Sequence, residues 1–469
     1  MHRPAHALRT SARGLLRRKS LWLPSAAILG VLSFVLSLLY LGANDNPAGS
    51  MKNLPIALVD ADRGTHVAGR RIDLGKQVTA RITRSAELKS KVTWKVVDRR
   101  TADDLMGNDK VFGALVVPRD FSASVAALAG PPQRHPHPPT MTVLTNPGAG
   151  SFGSNMAAEI NREIVRKTSA QVGEQLTAQL AQQAKPQAKE QARMQGGGMR
   201  AEKQAEKEAK KRAAAPGAAA AQLMIADPIK AEVRQGHHLG DHSGLGLSAF
   251  FYTLVLVLGG MLGANVIHTQ VDTALGYVAN DKGPYRVLAP AQRISRVRHF
   301  AVGSVLMVVL SMLTSALAMA AAVGVIGIDA SHLPLLWIFG TCATAAMGLT
   351  ALALLAAFGT PGPIVSMLVL IGLAIPSAGG TVPLQALPPF YRFLATFEPF
   401  RQVVDGVRSI LYFDARTDAG LGRAWTMTGI GFAVALVLGF AVTLLYDGKG
   451  LHRFALHAKE PDPVPVPAV

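Results

Sequence analysis

A single cysteine, Cys342, stands in 469 residues, so no internal disulfide can brace the chain and its folding must rest on packing. Cysteine-rich zinc sites and C-x-x-C redox chemistry are excluded with it. The sequence also lacks a G-x-x-x-x-G-K-[ST] phosphate loop, an H-E-x-x-H motif and a G-x-S-x-G nucleophile elbow. Nucleotide hydrolysis through such a loop, zinc proteolysis and serine-hydrolase chemistry are therefore not expected. No enzyme activity, cofactor or resident metal is expected of this chain. Charged residues make up only 17% of it against 49% hydrophobic, and the two kinds are segregated along the sequence. The apolar runs hold no acidic residue: Asp272 falls just past one run, and Asp329 and Asp447 fall at run ends. That argues against proton coupling through intramembrane carboxylates.

What is present is a set of six apolar runs: Leu21 to Ala43, Leu247 to Ile267, Phe300 to Ile328, Leu335 to Phe358, Ile364 to about Leu384, and Met427 to Tyr446. Each approaches the roughly 20 residues that cross a hydrocarbon core, and in lipid each must satisfy its own backbone hydrogen bonds as a helix. The first run is too long for the apolar region of a cleaved signal peptide and reads as an anchor. The expected fold is an α-helical polytopic membrane protein with six transmembrane helices and an α/β extracytoplasmic domain inserted between helices 1 and 2. The layout runs as a basic tail (1–20), a first span (21–43), the insertion (44–246, with a helical arm at about 150–220), a second span (247–267), a loop (268–299), spans three to six within 300–446 enclosing an outer loop (385–426), and a tail (447–469).

Orientation follows from basic residues in the short flanks. Arg3, Arg9, Arg13, Arg17, Arg18 and Lys19 precede the first span, and Lys282, Arg286, Arg293, Arg296 and Arg298 lie between the second and third. Both termini are thus expected in the cytoplasm, in a multi-pass protein of the cell membrane. The net charge of +18 sits in these flanks and in the insertion, where pairing with anionic lipid accounts for it. The lipid bilayer is the expected partner, and nucleic acid is not.

Within the insertion, Leu54 to Asp60, Val92 to Val97, Val111 to Val117 and Met141 to Thr145 read as strands, with helices around Leu74 to Leu88, Ala102 to Met106 and Asp120 to Leu128 between them. Strands separated by crossover helices favour a small, partly parallel α/β layer. A long helix is expected from Asn155 to about Met194, followed by the triple glycine at 196–198 and a polar run to Ala215. Asp227 to Val233 reads only as a return path to the second span. His135 and His137 occupy a proline-rich loop and His237, His238 and His242 a glycine-rich one, which is solvated-loop composition rather than a rigid metal site.

Candidate functional residues are few. Pro376, Gly379 and Gly380 mark a proline- and glycine-broken stretch of the fifth run that either lines a substrate path or serves as a kinked exit from the membrane. Glu398, Asp405 and Arg408 in the last outer loop, and Arg286 and Arg293 in the cytoplasmic loop, are candidates for gating and coupling.

Three segments carry a resemblance. Leu54-Pro-Ile-Ala-Leu-Val-Asp-Ala-Asp62 with Arg63-Gly64, the helix start Asp73-Leu74-Gly75, and Phe112-Gly-Ala-Leu-Val-Val-Pro-Arg-Asp-Phe-Ser122 resemble the outer domain of the YhgE/Pip (phage infection protein) family, which is related to ABC-2 type exporter permeases. The layout of one span, a large domain and five spans matches that group. Leu387-Pro-Pro-Phe-Tyr391 through Pro399-Phe-Arg-Gln-Val-Val-Asp-Gly-Val-Arg408 looks like the outer re-entrant segment that such permeases place before their last helix. The resemblance implies a permease, expected to be a homodimer, that exports an amphipathic or lipid-like substrate with a separate ATPase subunit. The alternative is a non-transporting envelope receptor or scaffold whose outer domain binds a ligand. In this chain any docking surface for an ATPase falls in 268–299, where Tyr285 to Arg298 reads as a basic amphipathic helix lying at the interface.

Overall fold

The computed structural model describes residues 19–43, 46–67, 70–128, 138–194, 227–282, 284–287, 290, 292–380 and 382–451. The His135/His137 loop, the triple glycine, the polar run after it and most of both tails lie outside the described residues.

Helix α1 (Lys19–Ala43) leads into a five-stranded sheet of order β4-β1-β5-β6-β7. Its strands are β1 (Leu54–Asp60), β4 (Val92–Val96), β5 (Gly113–Val117), β6 (Thr140–Thr145) and β7 (Lys230–Gln235), and a two-stranded ribbon of β2 (Thr65–Val67) and β3 (Arg70–Ile72) stands beside it. β1 is parallel to both β4 and β5, β5 is antiparallel to β6, and β6 is parallel to β7. Alternation sorts the side chains between two faces. Leu58, Leu115, Val117, Met141 and Val143 pack under α2 (Leu74–Arg84), α4 (Phe121–Leu128) and α5 (Ser151–Met194), while Ala57, Val59, Ala114, Val116 and Leu144 pack under α3 (Arg99–Gly107).

β7 was expected only as a return path. It pairs with β6 from Thr140↔Lys230 to Thr145↔Gln235, yet its side chains are almost all exposed, so no hydrophobic alternation betrays it. Its Lys230, Glu232 and Arg234 also guard the sheet edge against further pairing.

The segments that carry the family resemblance converge. Asp62 accepts from the backbone of Gly75 at 3.0 Å and of Ser122 at 3.1 Å, and the Ser122 hydroxyl both donates to Asp62 and accepts from Leu74 N. One carboxylate thus holds the N-termini of α2 and α4 beside the end of β1, where the helix dipoles favour negative charge. Gly75 is required there, because a Cβ would sit 2.4 Å from Asp62 Cβ.

Among the described residues, five helices are long and apolar enough to cross a membrane: α1, α6 (Ser248–Ala274), α7 (Arg296–Met319, continued as a π turn to Val325), α8 (Leu333–Phe358) and α12 (Leu421–Gly448). The sixth expected span is shorter than the sequence suggested. α9 covers Gly362–Ser377, about 24 Å at 1.5 Å per residue against a core of roughly 30 Å. It is irregular, with a π stretch at Leu368–Gly372 and an end at Ser377 before Gly379 turns to φ +69°. α8 is the centre of the bundle, with most of its apolar residues buried, whereas α7 and α12 leave most of theirs exposed. Ala343, Ala345, Ala346, Gly348, Ala351 and Ala353 let its neighbours approach closely.

Between α9 and α12 the chain forms α10 (Pro389–Phe397) and α11 (Pro399–Tyr412). At the far end, Tyr285 to Arg298 is not the amphipathic helix expected. Asn280–Lys282 and Tyr285–Val287 pair as an antiparallel hairpin, β8 and β9, and helix resumes only at Arg296. Pro284 and Pro290 account for this, since neither can donate to a helical ladder.

Candidate functional site

α11 is buried on nearly every side despite its polar sequence, with Phe400, Gln402, Val403, Val404, Gly406, Val407, Arg408, Ser409, Ile410 and Tyr412 all buried. It packs among α6, α8 and α12 and touches the loop 147–149 of the α/β domain. Glu398 starts it: its carboxylate accepts from Phe400 N at 2.8 Å and Arg401 N at 2.7 Å, which satisfies two orphan donors of the first turn. Arg401 donates to Ala395 O at 3.0 Å and lies 3.7 Å from Asp405.

One turn further, Arg408 is 4% exposed, and its Nε has no hydrogen-bond partner among the described residues. Its charge acts on Asp405 and on Asp109, a residue of the α/β domain held at φ +55°. Burial pushes the Asp109 carboxyl up to about 7 even with Arg408 pulling the other way. Burial also raises Glu398 to about 7, against the two backbone N–H groups that favour its charged form. Asp405 is raised by burial too, with Arg401, Arg408 and Arg423 opposing. A partly compensated charge cluster therefore joins the domain to the bundle. Tyr412 ties the same junction, donating to Ser243 O at 3.2 Å and accepting from Ala249 N at 3.1 Å, while its carbonyl lies 2.6 Å from His237 Nε2.

Of the residues singled out in the sequence, Glu398, Asp405 and Arg408 share this helix. Gly380 comes near its start through Phe250: a Cβ there would fall 2.1 Å from Phe250 Cδ2, and Phe250 meets Phe400 edge-on at 5.5 Å, while the short helical stretch holding Pro376 also contacts α11 and Gly379 lies against Leu384. Arg286 and Arg293 are exposed on the hairpin side at the opposite end of the bundle, so the set is two places rather than one. Asp109 and Tyr412 were missed, because nothing in a loop aspartate or a helix-terminal tyrosine signals a partner in a distant part of the chain.

At the hairpin end the structure corrects a second reading. α6 continues to Ala274, which places Asp272 within the helix, 5% exposed. Asp272 Oδ1 lies 2.8 Å from His299 Nε2, and Oδ2 lies 3.6 Å from His268 Nε2. These three residues form the one group of metal-ligating side chains that converges among the described residues, with donor atoms within 4.8 Å of one another. A cavity of about 250 Å³ opens beside them, lined also by Arg296, Phe300, Thr443 and Tyr446. Asp447 accepts from Arg296 N and Val297 N, both at 3.0 Å, and so caps α7 from α12. A sequence signal existed: His268 and Asp272 stand at i,i+4, and His299 opens the next apolar helix.

Comparison with known proteins adds two similarities. Residues 25–433 match the model of a family described as a protein of unknown function, DUF3533. An 88-residue stretch is 30% identical to the uncharacterized protein YhgE of Bacillus subtilis (strain 168). That stretch is 19% of this chain and 10% of that relative. Together these bear out the resemblance to a YhgE/Pip-like family. No solved structure matches.

Proposed function

The chain belongs to the DUF3533 family, and from that premise we propose that it is a membrane permease of the ABC-2 exporter type. It moves an amphipathic or lipid-like molecule outward, as a homodimer driven by a separate ATPase subunit, and performs no catalysis itself. The α/β domain stands outside the cell membrane and both termini lie in the cytoplasm. The observation that carries this reading is α11: a charge-bearing helix re-enters the bundle between α9 and α12 and contacts both the transport helices and the domain above them. Such a helix can pass movement of the bundle to the domain. The hairpin carrying Arg286, with Arg293 after it, supplies the docking surface for the ATPase at the other end.

A second reading, the non-transporting receptor or scaffold, is favoured by one feature. Between α2 and α5 the α/β domain has a groove of about 400 Å³ lined by Met51, Ile82, Leu88 and Ile160 together with Arg81, Lys91, Glu159 and Glu163, suited to an amphipathic ligand. Deleting Asn53 to Asp241 separates the two. Loss of surface binding with unchanged efflux of amphipathic probes supports the receptor; loss of efflux supports the permease.

A further inference from the structure

We propose that His268, Asp272 and His299 form a binding site for a divalent transition metal, with zinc as its natural match, at the end of the bundle away from the α/β domain. The proposal does not depend on whether the protein transports anything. Two imidazoles and one carboxylate are a zinc ligand set, and with three protein ligands the fourth position is left to water or another small ligand. The donor atoms are already gathered. In a tetrahedral site with bonds of about 2.0–2.1 Å, neighbouring ligand atoms lie roughly 3.3 Å apart; here one donor atom from each of the three residues lies within 4.8 Å of the others, so closing on an ion asks for a shift of about an ångström. The two rings meet edge to face at 5.2 Å between centroids, so both Nε2 atoms turn toward the same carboxylate rather than stacking away from it.

Burial favours an ion over a simple solvated pair. The three side chains are 17%, 7% and 8% exposed for His268, Asp272 and His299. Asp272 is the only buried carboxylate within the apolar helices among the described residues. The cavity lined by His268 and His299 supplies the space for an exchangeable fourth ligand and a route of entry. The ligands come from the last two turns of α6 and the first turn of α7. A bound ion would therefore fasten the two helices on either side of the β8–β9 hairpin.

The test uses full-length protein in mild detergent, carrying an affinity tag without histidine. It is stripped with a chelator and titrated with cobalt and with zinc. Wild type should develop the visible absorption bands of four-coordinate cobalt and bind one zinc per chain above background. The substitutions Asp272→Asn and His299→Gln should each abolish the bands and weaken zinc binding by more than about 10-fold. His237→Gln, in the loop above the other end of the bundle, should leave both unchanged. Stripped wild type that shows neither cobalt bands nor zinc binding above the doubly substituted His268→Gln/His299→Gln protein overturns the proposal. That result would leave a hydrogen-bonded His–Asp–His clasp. Because the spectrum is read on wild type, misfolding of a variant does not blur the outcome.

Discussion

Replacing Glu398 by Gln should flatten the dependence of stability on pH. Glu398 is 5% exposed, and burial lifts its carboxyl from 4.5 to about 7. A raised folded-state value means that the acid form is the one the fold favours. The associated stability is therefore present in full below about pH 4.5 and is lost as pH rises through about 7. At about 1.4 kcal/mol per pKa step, ionising Glu398 costs the folded protein on the order of 3 kcal/mol across that window. Glutamine keeps one oxygen to accept from the first turn of α11 and never ionises. Relative to the acid form it gives up at most one neutral hydrogen bond, worth about 1 kcal/mol, so the variant should lie close to wild type at pH 4.5 and above it at pH 8. The distinguishing quantity is the slope. Thermal unfolding in detergent, followed at intervals from pH 4.5 to 8.5, should show wild type losing stability across the window and Glu398→Gln losing much less. Parallel profiles for the two proteins would refute the assignment of a buried, proton-favouring carboxyl at the head of α11.

Three further substitutions probe other joints. Gly406→Ala would place a methyl group 2.3 Å from Phe339 Cζ and 2.8 Å from Ala424 Cβ. It should destabilise by about 1–3 kcal/mol through overpacking, and the loss should shrink when Phe339→Leu is added, as a double-mutant cycle in thermal unfolding would show. Asp62→Ala removes the acceptor for Gly75 N, Ser122 N and the Ser122 hydroxyl; it should cost about 2–4 kcal/mol and make the α/β domain more sensitive to limited proteolysis. Arg408→Met removes one of the two arginines whose charge reaches both Asp109 and Asp405 and leaves Arg401, so it should cost less than the about 3–5 kcal/mol of a buried ion pair fully broken. Adding Asp109→Asn should recover part of that loss, which coupled measurements of thermal stability would detect.

The elements most visible in the sequence are those buried on both faces or long and apolar. β1 reads as a continuous apolar strand because it lies between β4 and β5, and its bounds match the structure. β7 was invisible because an exposed edge strand has no alternation to read. The apolar runs located the cores of the spans but not their ends. α6 goes on for seven residues past Ile267, because helix continues through polar positions once a neighbour satisfies them. That is how Asp272, seemingly just outside a span, came to be buried with two histidines. Glu398, Asp405 and Arg408 could be named from the sequence as charges of the last outer loop, but their burial could not, because polar residues recur throughout the segment. Their partner Asp109 lies in the other domain, and only tertiary structure brings it near. Part of the family motif proved architectural: Asp62, Gly75 and Ser122 stand together because one carboxylate caps two helices.

We propose that this chain is the membrane half of an ATP-driven exporter. The most direct test of this is purification of the tagged protein from its native cells in mild detergent, with mass-spectrometric identification of its companions and an ATPase assay on the sample. The account predicts a stoichiometric subunit bearing the phosphate loop that this chain lacks, with activity that falls when Arg286 and Arg293 are changed to glutamate. Recovery of the chain without any such subunit and without ATPase activity, across several gentle detergents, would contradict it.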